Sequence, residues 1–475
     1  MLRSWLLKRH STRLFALTGV EKARMELTFS HTLVETVCSR ICAIPFIDSS
    51  LLQVNGLSQP IHTLYGGAHL FKVGALQKLS DLAKDHFLFW ASDPSHLSEI
   101  LEQQHDLDTP WDLVHRNVVA RLERLAIEDF RIDFEDGYGA RGEIEEDRDA
   151  ERTAVAVAHE MSLGALPPSF GIRVKSFQPQ TIRRSIRTLD IFLSKLLKTT
   201  NGVVPNGFVV TLPKVGHKEQ VGALADLLDE IESRLSLPRR VIRLELMVEG
   251  PESIVSDLGP NPLKALVGAA RGRCRGVHFG TYDYSASLDI SAEYQTMDHP
   301  VCVHALLAMK TSLYGSRVWL ADGATNILPL PVHKESAGAL LSEQQRQQNA
   351  QHIKRAWQQS FSAIQNSLKL GFYQGWDLHP HQIAVRLVAH YAFFLRYLTD
   401  ATDRLRNFLE KAAQATASGG VFDDAATGQG LLNFFIRALE LNVIDSHQLL
   451  SAGITQEELK TRSFMAIVDS RRCEK

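Results

Sequence analysis

The sequence lacks the features of a membrane protein, a disulfide-rich secreted protein and a nucleic-acid-binding protein. No apolar run reaches the roughly 18–20 residues that a membrane-spanning helix needs. The 475 residues include five cysteines, an odd number, without C-x-x-C spacing. The net charge of −2 provides no basic field for nucleic acid or anionic lipid. We therefore expect a soluble cytoplasmic protein for which neither a membrane nor nucleic acid is a partner.

The first residues have a basic bias that leaves two further interpretations open. Four basic residues lie within the first 13, and no acidic residue precedes Glu21. This pattern is found in mitochondrial transit peptides, which would place the signal in residues 1–20. It is equally typical of a basic amphipathic helix or of an extension upstream of a start at Met25.

Eight β-rich apolar runs recur along the chain, and each ends in polar or glycine-containing sequence. They begin at Ile61, Phe130, Gly171, Gly207, Val241, Gly276, Arg317 and Gly375. Helical patterns separate them, and eight strand–helix repeats predict an α/β fold, a (β/α)8 TIM barrel. The run HFLFWASD, from His86, also reads as a strand, either the first or second strand of the barrel or an extra hairpin in an insertion.

Helical patterns before and after the repeats divide the chain into three predicted parts. Residues 1–60 form an N-terminal helical extension, residues 61–390 the barrel, and residues 391–475 a C-terminal helical cap or oligomerisation region. The apolar faces of the last part are consistent with a homo-oligomer.

Charged side chains follow almost every predicted strand, at the end of the barrel where active sites form. They are Asp133, Glu135, Asp136, Arg173, Lys175, Lys214, Glu249, Asp283, Asp322 and His379, followed by His381 and Gln382. One such residue commonly caps a helix or lies in solvent. So many at one barrel mouth indicate a metal or a charged ligand, because unpaired charges there would repel each other or be desolvated.

These residues divide into a metal-binding and an anion-binding set. Glu249 and Asp283 supply the hard oxygen ligands that suit Mg²⁺, with Mn²⁺ as an alternative. Arg173 offers a planar fork for a substrate carboxylate, and Lys214 offers a point charge. The opposing interpretation is that Glu249 only opens a helix, since EGPES has the proline and the acidic first turn of one.

Six motifs resemble those of the citrate lyase beta subunit and HpcH/HpaI aldolase superfamily, in the same order over residues 61–390. The segments IDFEDGYG, GIRVKS and LPKV resemble that family's LEDAV, VRVN and PKV strands. The segments LELMVEGPESI, HFGTYDYSASL and GWDLHPHQI resemble its LMIETPEGV, FGxxDLxADLG and G(K)xxIHPxQ strands. Each motif is weak alone, and six in order are specific.

The resemblance implies a Mg²⁺-dependent TIM barrel that makes or breaks a carbon–carbon bond beside a carboxylate, through a metal-stabilised enolate. Its substrate would be a small anionic oxo or hydroxy acid, or an acyl-CoA ester. By this likeness, Glu249 and Asp283 match the metal ligands and Arg173 matches the carboxylate-binding arginine. Glu135 and Asp136 match the acidic pair that positions metal-bound water or the arginine.

The general base stays open among Asp133, Glu135 and His379.

One departure from the family decides between reactions. Members resembling malate synthase carry a catalytic aspartate after the barrel, and in GGVFDDAATGQGLLNFFIRA its place falls on Gly428. Asp423 and Asp424 precede that place by five and four residues. We therefore expect an aldolase-type carbon–carbon lyase, with an acyl-CoA lyase or a malate-synthase-like condensing enzyme as the alternative. A non-catalytic binding or assembly subunit is the second alternative.

Overall fold

The computed structural model describes residues 31–42, 58–103, 106–124, 126–256, 261–335, 340–410, 416–418, 421–423 and 425–473. The chain forms two compact units, Met1–Asp48 and Ser49–Lys475. In the first unit the structure describes one helix, α1 (His31–Cys42). The predicted transit segment, residues 1–20, lies outside the described residues. None of the described helices is long and apolar enough to cross a membrane.

The second unit contains an eight-stranded parallel barrel. Its strands are β1 (His62–Gly67), β2 (Asp129–Asp133), β3 (Ser169–Arg173), β4 (Phe208–Leu212), β5 (Arg243–Val248), β6 (Cys274–Phe279), β7 (Trp319–Ala321) and β8 (Gly375–Asp377). Each strand from β1 to β7 pairs with the next in chain order, and β8 pairs with β1. A bridge between Ala321 of β7 and Gln374, the residue before β8, closes the ring. The predicted TIM barrel and all eight of its strands are confirmed.

Helices surround the strands and continue beyond them. The barrel helices are α2 (Ala75–Trp90), α3 (Pro94–Ile100), α4 (Trp111–Arg124), α5 (Glu143–Ser162), α6 (Ile182–Thr199), α7 (Lys218–Arg234), α8 (Leu263–Ala269), α9 (Thr281–Ala286), α10 (Pro300–Ser312), α11 (Glu343–Lys369) and α12 (Pro380–Glu410). A short hairpin of β9 (Thr416–Ser418) and β10 (Val421–Asp423) follows, and then α13 (Ala425–Glu440), α14 (Ser446–Ser451), α15 (Gln456–Lys460) and α16 (Phe464–Cys473). The predicted boundary between the barrel and the C-terminal region, after residue 390, falls inside α12. That boundary stays a prediction.

The interpretation of HFLFWASD as a strand is wrong, since His86–Trp90 forms the last turn and a half of α2. The buried residues of α2 include Leu76, Ala83 and Phe87, which lie seven and four positions apart on one helical face. Four consecutive large apolar or aromatic residues imitate a strand when they are read without the preceding turns.

The barrel interior carries a buried ionic layer below the mouth. Arg131 on β2 forms ion pairs with Asp129 and with Glu245 on β5, and it also bonds Thr211 on β4. Since β2 lies beside neither β4 nor β5, these contacts cross the inside of the barrel. Glu245 also accepts from Arg275, so two arginines and two carboxylates balance in charge.

Strand register brings the polar strand ends to the mouth. Tyr65 pairs with Arg131, and one pleat period further on Gly67 pairs with Asp133. Asp133 in turn pairs with Arg173. Residues paired across a parallel sheet share a face, and alternate residues of a strand return to it. Gly67, Asp133 and Arg173 therefore face inward, one layer above the ionic layer that contains Arg131.

Candidate active site

The mouth of the barrel brings together seven of the eight site residues predicted from the sequence. They are Asp133, Glu135, Asp136, Arg173, Lys214, Glu249 and Asp283, linked by hydrogen bonds or ion pairs. All follow or end strands β2 to β6, so the cluster occupies one side of the mouth.

Arg173 is held by Asp133 in a bidentate ion pair. Arg173 Nε lies 2.7 Å from Asp133 Oδ1, and Nη2 lies 2.5 Å from Oδ2. The same carboxylate accepts backbone N–H groups from Glu135 and Gly137 at 2.9 and 2.7 Å. A Cβ at Gly137 would lie 2.5 Å from Asp133 Oδ2, so glycine is needed there. Both Asp133 oxygens therefore hold the arginine and the loop after β2 in place.

The third guanidinium nitrogen of Arg173 has weaker partners. Its Nη1 lies 3.5 Å from Glu135 Oε2 and 3.7 Å from Asp136 Oδ2, distances of ion pairs without a close hydrogen bond. The Tyr65 ring lies under the guanidinium, 4.9 Å from Cζ. Burial alone would lower the pKa of Arg173, but the charge and hydrogen bonds of Asp133 outweigh it and hold the pKa well above its ordinary value, so the side chain stays cationic.

Lys214 lies among the carboxylates of the mouth. Its Nζ lies 2.6 Å from Glu135 Oε1, 3.1 Å from Asp136 Oδ1 and 3.8 Å from Asp283 Oδ1. Burial raises the pKa of Glu135 to about 7, whereas the hydrogen bond with Glu135 and the cations nearby lower the pKa of the more exposed Asp136. Of these two carboxylates, Glu135 therefore takes up a proton more readily.

Glu249 is buried at the end of β5, where its charged form is poorly solvated. Burial, together with the charges of Asp283 and Glu135, raises the pKa of Glu249 to about 8. Its Oε2 accepts the backbone N–H of Lys214 at 2.7 Å. A Cβ at Gly280 would overlap the Glu249 side chain, so the glycine after β6 makes room for the carboxylate.

Three carboxylates form a candidate cation site. Asp136, Glu249 and Asp283 each offer an oxygen, and the three oxygens lie within 4.8 Å of one another. Oxygen-only donors suit Mg²⁺, which needs ligands at about 2.0–2.1 Å and usually retains several waters. The elevated pKa of Glu249 fits as well, because a divalent cation would stabilise the charge that burial disfavours. Asp136 is a third candidate ligand. The sequence analysis named only Glu249 and Asp283 as metal ligands.

His379 is the predicted residue that the structure does not join to this cluster. Its Nδ1 accepts the backbone N–H of His381 at 3.2 Å, and the two rings lie 4.4 Å apart. Burial and His381 lower the pKa of His379 to about 4. Within the described residues it forms no hydrogen bond or ion pair with the seven residues of the mouth.

A small cluster beneath Arg173 was not expected from the sequence. Tyr65, Met247, Ala324 and Trp376 pack together, and the Tyr65 and Trp376 rings lie 5.0 Å apart. Their side chains close the mouth from below. An aromatic residue inside a strand is ordinarily read as core, so only the register shows that these rings face the site.

Fold and site together define a (β/α)8 barrel with an acidic cluster and a fixed arginine at the carboxyl ends of its strands. Residues 53–467 match the family described as Domain of unknown function (DUF6986), and the chain belongs to that family. A comparison with curated protein sequences gave no match.

Two solved structures are similar to this chain. A citrate lyase from Burkholderia xenovorans LB400 is 14% identical, with a TM-score of 0.53 over 84% of this chain and 98% of that one. The pyruvate/acetyl-CoA ternary complex of Haloferax volcanii malate synthase is 14% identical, with a TM-score of 0.45 over 86% of this chain and 99% of that one. The citrate lyase agrees with the fold that the sequence motifs implied.

Proposed function

We propose that this protein is a Mg²⁺-dependent carbon–carbon lyase of the aldolase type that acts on a carboxylate-bearing oxo or hydroxy acid. One observation carries the proposal: the carboxylates of Asp136, Glu249 and Asp283 lie within 4.8 Å of one another beside the buried Arg173. A cation site next to a guanidinium suits a ligand that presents a carbonyl and a carboxylate on adjacent carbons.

Arg173 would bind the substrate carboxylate through Nη1. Because Asp133 occupies Nε and Nη2, the guanidinium cannot rotate, and Nη1 is the nitrogen without a close oxygen partner. The Tyr65 ring and Met247 Sδ, which lies 3.9 Å from Nη1, restrict the space around it. A short acid fits this setting better than a bulky one.

Asp136, Glu249 and Asp283 would hold Mg²⁺, or Mn²⁺ in its place. The cation would polarise the substrate carbonyl and offset the negative charge that develops when the adjacent carbon–carbon bond breaks. Lys214 would add positive charge on the same side, since its Nζ lies 3.8 Å from Asp283. Glu135 would keep the lysine in place through their 2.6 Å ion pair.

The condensing alternative is less well supported. At the position where a malate-synthase-like enzyme would carry its aspartate, Gly428 lies in α13, and a Cβ there would lie 2.5 Å from the Phe408 ring and 2.8 Å from the Phe464 ring. A carboxylate would be desolvated among those aromatic rings. Asp424 lies outside the described residues. Homo-oligomer formation and a cytoplasmic location also stay predictions.

The experiment that tests the proposal is thermal unfolding with and without Mg²⁺, in the presence of pyruvate or oxalate. Wild-type protein should be stabilised by Mg²⁺, and further when either acid is added, because ligands that bind only the folded state raise Tm. The Glu249→Ala variant should lose both shifts. If wild-type protein responds neither to the metal nor to the acids, the proposal is wrong and the binding-subunit alternative takes its place.

A further inference from the structure

His69 lies over the barrel mouth because of a glycine two positions before it. Gly67 is an inward-facing position, in register with Asp133. A Cβ on Gly67 would lie 2.6 Å from His69 Cε1 and 2.8 Å from Nδ1, and it would overlap the backbone oxygen of Gly137. The imidazole therefore takes the space above Gly67 that a side chain would fill, beside the loop that carries Glu135 and Asp136.

The His69 imidazole has no hydrogen-bond partner among the described residues. Its Nδ1 is buried and unpaired, although the residue as a whole is partly exposed. The nearest ring is that of Tyr138, at 5.7 Å and edge-on. A buried ring nitrogen without a partner costs free energy, and nearly all such groups in proteins are paired. A ligand in the mouth is one source of the missing partner.

Each of the other candidate proton carriers already contacts a neighbouring group. Both Asp133 oxygens bind Arg173 and backbone N–H groups, and Glu135 is paired with Lys214. His379 contacts His381 and forms no hydrogen bond or ion pair with this cluster among the described residues. Burial and the neighbouring Arg141 lower the pKa of His69 below its ordinary value, so its ring is neutral at pH 7 and one ring nitrogen is free of a proton.

We propose that His69 is a catalytic residue that takes and returns the proton at the carbon next to the substrate carbonyl. In the cleavage direction the imidazole takes the proton of the substrate hydroxyl, and the carbon–carbon bond breaks so that one fragment leaves as a carbonyl compound while the electron pair stays on the other fragment as an enolate. The N–H proton then passes to the enolate carbon, where a C–H bond forms and the imidazole becomes neutral again. The reverse of this last step removes a proton from that carbon. This inference rests on the proposed function, which supplies the cation and the bound oxo acid.

The test uses pyruvate as the probe, because its methyl protons exchange with D₂O once the bound acid forms its enolate. Exchange is followed by proton NMR with the full-length protein and Mg²⁺, and pyruvate binding is measured separately by calorimetry. His69→Gln should slow exchange by about a hundredfold or more, the typical effect of losing a general base, with pyruvate affinity unchanged within about twofold. His304→Gln, at an exposed histidine of α10, should change neither value.

The outcomes separate this inference from the function on which it rests. If wild-type protein binds pyruvate with Mg²⁺ and exchange is equally fast in His69→Gln, or absent in wild type, the role of His69 is refuted and the oxo-acid site stands. If wild-type protein does not bind pyruvate with Mg²⁺, the proposed function fails and the inference fails with it. His69→Asn guards against a folding defect in one variant, and it should give the same loss of exchange.

Discussion

The ammonium of Lys214 lies 2.6 Å from Glu135 Oε1, between the carboxylates that are the candidate cation ligands. The lysine has a left-handed backbone, with φ of 52°, and its N–H binds Glu249. A strained conformation of this kind persists only where the surroundings hold it in place. The Lys214 ammonium thus places a positive charge beside the site where a divalent cation would bind.

This arrangement predicts that Lys214→Met binds Mg²⁺ more tightly. Removing a positive charge a few ångströms from the cation should raise the affinity about tenfold, or about 1.4 kcal/mol. Pyruvate affinity in the presence of Mg²⁺ should fall, since one charge that attracts the anion is gone. Calorimetric titration measures both values, with Lys218→Met, at an exposed residue of α7, as the control. Weaker Mg²⁺ binding in Lys214→Met would show that the lysine organises the site instead.

The raised pKa of Glu249 predicts that the metal-free protein loses stability as pH rises. The folded state holds this proton up to about pH 8, whereas an unfolded glutamic acid releases it near its ordinary value of 4.5. Between these pH values the folded state binds more protons than the unfolded state, so the free energy of unfolding falls with increasing pH. Glu135, with a pKa of about 7, acts in the same direction.

Measuring Tm from pH 5 to pH 8 without metal checks this prediction. Glu249→Gln should flatten the decline, since an amide has no proton to lose. Added Mg²⁺ should restore stability most strongly at the alkaline end, where the carboxylate is free to bind it. An equal pH dependence in wild type and Glu249→Gln would contradict the assignment of the buried proton to Glu249.

Gly280→Ala is expected to abolish Mg²⁺ binding without unfolding the protein. The new methyl group would overlap Glu249 Cγ and lie 2.9 Å from Oε1, which forces the carboxylate out of position. Gly268→Ala, in α8, is the matched control, because a Cβ there meets nothing within 4 Å. Mg²⁺-dependent Tm shifts in both variants give the comparison. A normal shift in Gly280→Ala would mean that Glu249 does not bind the metal.

Asp133→Ala should destabilise the fold by about 3–5 kcal/mol, because it leaves the buried Arg173 without its bidentate partner. Asp133→Asn should cost less, since the amide oxygen can still accept one of the two hydrogen bonds. Urea denaturation of both variants measures the difference. A loss below about 1 kcal/mol in Asp133→Ala would show that Glu135 and Asp136 replace it as partners of the arginine.

Much of the fold was readable from local sequence. All eight strands were predicted, because a buried parallel strand reads as a short apolar run with clear ends. HFLFWASD was misread as a strand for the same reason, since a short apolar run has no reliable period. The predictions for Glu249, Asp283 and Arg173 depended on their position after strands, and the structure places them together as a barrel requires.

The sequence by itself determined which chemical groups stand at the strand ends, because strand position and residue type are local properties of the chain. Only the tertiary structure decided which of those groups meet. Lys214, whose backbone is left-handed, lies among carboxylates, and the His69 ring occupies space that a side chain at Gly67 would fill. His379, also at a strand end, contacts His381 instead. Distances across a barrel depend on register, strand closure and loop dihedral angles, and these arise only when distant segments pack.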